Sequence, residues 1–200
     1  MGDPKDSRTL SEWAVRYANA SRGGLSRKNE LIAFRRSSAK YFAGLRLKKK
    51  YELDRDEITE WLQRCPTVYF TDYTGSYDDT ADLIADNNPL QRLSPYLLDL
   101  AKSSSLTMAM YELEFKYMDP AVRSELASCI HPDTHVPLDM FTVRAMEVLG
   151  LEVPEDSFFG YRSFIETCRS VREVLVEKGV FARDLSTVYE FLLYVFSESR

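Results

Sequence analysis

Long apolar runs are missing from this chain of 200 residues. The longest near its C-terminus, Phe191 to Phe196, is far too short to span a bilayer. No apolar segment follows the charged start Met-Gly-Asp-Pro-Lys-Asp, so no secretory signal is expected. Cysteine is scarce: Cys65, Cys129 and Cys168 are odd in number, widely spaced and never arranged as Cys-x-x-Cys. That spacing argues against a disulfide framework and against a cysteine-rich zinc or iron–sulfur site, and it fits a reducing cytoplasmic or nuclear setting. Gly23-Gly24 and Gly75 lack the spacing and the lysine of a phosphate-cradling loop. No serine or cysteine falls in a recognisable nucleophile elbow or dyad. There is no fixed-period repeat and no low-complexity tract.

What is present is the make-up of a globular protein, 44% hydrophobic and 28% charged, long enough to bury a sizeable core. The net charge of −5 conceals an asymmetry. From Arg22 to Arg55 there are eleven Lys/Arg against three acids, a local +8, whereas residues 56–200 hold twelve bases and twenty-five acids, a local −13. The split permits a basic face on an acidic body. Arg35, Arg36, Lys40, Lys48, Lys49 and Lys50 would form that face, either as a track for phosphates or simply as a solvated helix surface.

Helical punctuation runs through most of the chain. Thr9 with Glu12, and Asp54 with Glu57, have capping-box spacing. Gly23-Gly24 ends the first helix and Ser26 can cap a second, whose stripe runs Leu31, Phe34, Ser38, Tyr41, Phe42 and Leu45. Pro66 stops the third. Residues 67–80 carry Tyr69, Phe70, Tyr73 and Tyr77 among Thr, Asp, Gly and Ser without a helical period, and read as a nonhelical connector. Beyond it, the acids Asp78, Asp79, Asp82 and Asp86 read as a solvated face. Ser94-Pro95 and Asp119-Pro120 each look like a cap followed by proline at the first helical position. Leu106, Met110, Leu113 and Tyr117 mark a helix between them. His131 to Pro137 must be a loop, since two prolines interrupt any ladder, and its two histidines read as loop residues, not a metal pair. Helices are expected at about 138–149 with Gly150 at the C-terminal cap, at 161–178 and at 184–197. The expectation is an all-α bundle of about nine helices. It would comprise an N-terminal helical region over residues 1–66, the connector over 67–80 and a helical domain over 81–200.

One stretch carries a possible chemistry. Asp139 falls in the first turn of its expected helix, after Pro132 and Pro137, where unpaired amides and the helix dipole favour an ionised carboxylate. Such a group can stabilise developing positive charge or accept a proton from water, and equally it can be an ordinary cap. Pro137-x-Asp139, Arg144 five residues on, and Leu149-Gly150-Leu151 at the helix end resemble the helix–hairpin–helix base-excision DNA glycosylases. The resemblance implies a helical fold in the C-terminal half, a flipped-out nucleotide and cleavage of its N-glycosidic bond, with Asp139 as the catalytic carboxylate. It would set the anion-binding hairpin at Met118 to Glu125, with Arg123 near the phosphate. Both hairpin glycines of the family are absent there, and no lysine stands at the catalytic position; Ser124 is the nearest equivalent, resembling members that use water. Two readings follow. One is a DNA-binding, glycosylase-like hydrolase of DNA repair, monofunctional or catalytically degenerate, acting on duplex DNA with Arg123, Arg144 and the basic helix on phosphates. The other is a noncatalytic helical adaptor for a protein partner. Neither implies a cofactor, a metal or a membrane.

Overall fold

A computed structural model describes residues 7–22, 26–46, 52–65, 79–103 and 106–200. Ten α-helices and no strand occur among them: α1 Arg8–Arg22, α2 Ser26–Arg46, α3 Arg55–Gln63, α4 Asp79–Asn87, α5 Leu90–Lys102, α6 Met108–Glu112, α7 Pro120–Ile130, α8 Met140–Leu149, α9 Phe158–Glu177 and α10 Ser186–Glu198. The expected all-α architecture of about nine helices is what the chain adopts. Among the described residues, no helix is long and apolar enough to cross a membrane. Lys48, Lys49, Lys50, the Gly23-Gly24 break and residues 67–78 of the expected connector, with its four aromatics, lie outside the described residues.

The chain divides into two compact units of equal length. Unit 1 holds residues 1–32 and 133–200, and unit 2 holds residues 33–132, so the first boundary falls inside α2.

In unit 1, α1 packs on α9 and α10, and α8 packs along α10. Leu10, Ala14, Tyr17 and Ala18 bury one face of α1. The Tyr17 ring meets Phe191 at 5.5 Å and Tyr194 at 5.4 Å, and its hydroxyl donates to Glu190 Oε2 at 3.2 Å. Burial and then the Glu190 charge push that hydroxyl above its usual range. The cap of α1 lies two residues before the expected one: Ser7 Oγ accepts the Leu10 N–H at 3.2 Å, and Glu12 pairs instead with Arg8 at 2.9 Å. Gly150 closes α8 at φ 67°, and the Leu151 N–H reaches back to Met146 O at 2.9 Å. A left-handed residue there suits glycine because no Cβ crowds the following carbonyl. Ser157 caps α9 through the Gly160 N–H, 3.0 Å from its hydroxyl.

In unit 2, α3 packs on α4 and α5, and α5 packs on α7. The Asp54/Glu57 capping box forms as expected, and Ile58, Trp61, Leu62 and Cys65 are buried beyond it. Phe42 of α2 meets Trp61 edge-on at 5.2 Å. Asp82 and Asp86 are not merely solvated: Arg55 pairs with them at 2.9 and 2.6 Å.

Two helix boundaries in unit 2 differ from expectation for reasons local spacing does not contain. Helix α5 begins at Leu90, not at Pro95, so Pro95 is its sixth residue. Ser94 does not cap; it is buried, and its hydroxyl accepts the Leu53 N–H at 2.8 Å. Proline is tolerated because Pro95 and Gln91, whose carbonyl loses its partner, both face solvent. Helix α6 stops at Glu112, leaving Leu113 and Tyr117 outside it. A tight reversal follows, with Phe115 and Met118 bridged and Tyr117 at φ 61°. Buried Asn88 clamps this reversal, accepting the Lys116 N–H at 2.8 Å and donating to Lys116 O at 3.0 Å.

Candidate functional site

The two residues that the glycosylase resemblance makes catalytic fall in different units, Asp139 in unit 1 and Ser124 in unit 2. Asp139 is the N-cap of α8, one residue before the helix rather than in its first turn. Its backbone is extended, which aims the side chain across the helix end. Oδ1 accepts the Thr142 N–H at 2.8 Å, and Thr142 Oγ1 accepts the Asp139 N–H at 2.9 Å, a reciprocal capping box. Oδ2 accepts the Tyr189 hydroxyl of α10 at 2.8 Å. Both oxygens of this half-buried carboxylate are therefore engaged in fixing the start of α8 to α10. Asp139 lines neither of the two cavities described below.

Ser124 is fully buried in α7, and its hydroxyl donates to Ala121 O at 2.9 Å within its own helix. Asp119, the N-cap of α7, accepts the Val122 N–H at 2.8 Å and so occupies one amide at the helix start with its own carboxylate.

The expected phosphate-binding cations that lie among the described residues separate into three groups. Arg35 and Arg123 are interior, only 3% and 6% exposed. Arg35 pairs with the buried carboxylate of Glu125 and donates to Ser128 Oγ at 3.1 Å. Arg123 donates to Tyr111 O and, at 2.7 Å, to Leu113 O, with its guanidinium over the Tyr111 ring. Both correct the expectation of surface charges. Burying a guanidinium is costly unless acceptors meet it, and here Glu125 and Ser128 meet Arg35 while the Tyr111 and Leu113 carbonyls meet Arg123. Arg144 is exposed but pairs with Glu147 at 2.5 Å. Arg36 and Lys40 are exposed and four residues apart on α2, hence on one face. Lys48, Lys49 and Lys50 lie outside the described residues.

The histidines lie in the expected loop but in different units. His131 Nε2 stands 2.7 Å from Leu100 O in unit 2. His135 stacks on Tyr161 of unit 1, with Nδ1 at 3.1 Å from its hydroxyl. Among the described residues no group of three or more His, Cys, Asp or Glu could hold a metal ion. Cys168 is fully buried, and burial pushes its thiol up, away from the reactive thiolate.

Two cavities belong to unit 1. One, about 200 Å³, lies between the 152–155 segment and the first turns of α9, against Pro154, Phe159, Ser163, Phe164 and Thr167. The other is a shallow hollow against Ser11, Glu12, Val15, Arg16 and Lys178. Helix α9 was expected from residue 161, and the structure starts it at Phe158, which sets Phe158 and Phe159 about 100° apart around its first turn, with one ring outward. It is Phe159, 69% exposed.

The chain matches no family model, no curated protein and no solved structure.

Proposed function

We propose that this protein is a noncatalytic, all-helical interaction module for a protein partner. The observation that carries the reading is the distribution of exposed apolar side chains. Of ten large ones exposed among the described residues, eight lie in unit 1: Val15, Met140, Phe141, Val148, Val153, Phe159, Val176 and Phe181, the last 88% exposed. Scattered single apolar residues are ordinary, but rings as exposed as Phe159 and Phe181 are the kind of side chain that a contact with another macromolecule covers. Supporting the same reading, Asp139 is engaged at both oxygens and Ser124 is buried, so neither stands ready for a nucleotide.

A second reading, binding of duplex DNA, is favoured by Arg36 and Lys40, which share an exposed face of α2. One experiment separates the two. The full chain is titrated into labelled duplex DNA, with and without an excisable damaged base, at several salt concentrations, and base release is assayed alongside. The interaction module predicts no DNA binding at low salt and no released base. Binding whose affinity falls steeply with log[salt], and that weakens in Arg36→Ala/Lys40→Ala, overturns the proposal in favour of DNA. Base release abolished by Asp139→Asn overturns it in favour of the enzyme.

A further inference from the structure

Resting on the interaction reading above, we infer that the groove at the start of α9 takes a peptide segment of definite chemistry: one apolar anchor side chain flanked by lysine or arginine. Three features converge on it.

The first is shape. At about 200 Å³ the hollow is smaller than the roughly 300–1,000 Å³ of sites that enclose a metabolite. Pro154, Phe159 and the buried Phe164 form its apolar part, beside Ser163, Thr167, Glu152 and Glu155. Such a space has room for one inserted apolar side chain, with polar groups next to it for a charged flank.

The second is close packing. The 152–156 segment crosses Gly160 so closely that a Cβ there would stand 2.1 Å from Glu155 O. The Ser157 N–H donates to that same carbonyl at 2.8 Å, and the Ser157 hydroxyl takes the Gly160 N–H at 3.0 Å. The chain at Glu155 thus lies directly against the first turn of the helix, with the turn at Ser157 and the helix cap joining the two.

The third is charge. Glu152, Glu155 and Asp156 are all exposed along this wall, and no cation pairs with them among the described residues. Acids near a helix N-terminus gain from the dipole, which accounts for carboxylates in the segment. It does not account for Phe159 and Val153, 69% and 40% exposed beside them. A hollow with an apolar part bordered by these carboxylates is complementary to a basic segment with an apolar anchor, and it repels an acidic one or a nucleic-acid backbone.

The test uses the full chain and a short labelled peptide carrying one leucine between lysines. Two control peptides replace the lysines with glutamates or the leucine with glycine. Binding is followed by fluorescence anisotropy and located by amide chemical-shift changes. The basic leucine peptide is expected to bind, more weakly as salt rises, with shifts confined to about residues 152–167 and with neither control binding comparably. Phe159→Ser, and separately Glu152→Lys/Glu155→Lys, are each expected to weaken it by about tenfold or more, as truncation of an anchoring contact does. Glu177→Lys, more than two turns beyond Thr167 on the same helix, should leave it unchanged. All these positions are exposed, and circular dichroism of each variant confirms the fold. Absence of binding, equal affinity in both groove variants, shifts elsewhere, or occupation of the groove by a second copy of the chain each overturns the proposal. The DNA titration is independent: DNA binding there sinks the wider reading, whereas a silent peptide with silent DNA sinks only the groove.

Discussion

The two units are equal in length and built from the same kind of element, yet they treat polarity in opposite ways. Thirteen polar or charged residues are buried among the described residues, and ten of them belong to unit 2, including every charged one: Arg35, Arg123 and Glu125. Unit 1 buries only His135, Thr142 and Thr187 in this class, yet it exposes eight of the ten large apolar side chains. Unit 2 therefore uses polar pairs in its interior, where each is demanding in geometry and position. Among the described residues, unit 1 keeps its polar links, such as Asp139 with Tyr189 and Tyr17 with Glu190, at part-buried positions and leaves more apolar side chains exposed. A surplus of that kind is what a binding surface needs, and an internal polar network is what fixes a particular arrangement of helices.

The sharpest way to break this comparison is to unpair the interior of unit 2. Glu125→Ala leaves the Arg35 guanidinium buried without its carboxylate and is expected to destabilise by about 3–5 kcal/mol, read by urea unfolding. Arg35→Met combined with Glu125→Leu removes both charges and should recover most of that loss. A double variant as unstable as the single one would show that the pair's surroundings, not its charges, set the cost.

A smaller effect is expected at Asp139. Asp139→Ala removes the cap of α8 and the acceptor for Tyr189, at about 1–2 kcal/mol. Asp139→Asn keeps an acceptor oxygen for Thr142 and should lose much less. If Asp139→Ala left stability untouched, this carboxylate would not be the helix fastener described above.

The smallest effect carries the opposite sign. The Tyr96 hydroxyl is buried in unit 2 with no hydrogen-bond partner among the described residues, and burial pushes its ionisation upward. Tyr96→Phe removes an unsatisfied buried group, so thermal unfolding should show unchanged or higher stability, by up to about 1 kcal/mol. Destabilisation would reveal a partner for the hydroxyl and place Tyr96 within the polar network of unit 2.

The helices were readable from their spacing, and several of their starts and stops were readable from short-range signals. Asp54 with Glu57, Asp119 before Pro120, and Gly150 at the end of α8 all do what their spacing implied. At Thr9 and at Ser94-Pro95 an equally plausible local signal lost to a neighbour: Ser7 in the first case and the Leu53 backbone in the second. The groove at α9 left only a faint trace, the adjacent Phe158 and Phe159 after an acid-rich segment. Its depth depends on how closely Glu155 crosses Gly160, which no spacing rule encodes.

From the order of residues alone came the all-helical class, the caps at Asp54 and Asp119 and the stop at Gly150, because each arises from contacts spanning three or four positions. Which charges went inside required the folded chain. Arg35 finds Glu125 ninety positions away, and Asp139 finds Tyr189 fifty positions away. A cation on a helix reads the same in sequence whether it meets a phosphate or a buried carboxylate, since the desolvation that separates the two outcomes exists only after the helices have packed.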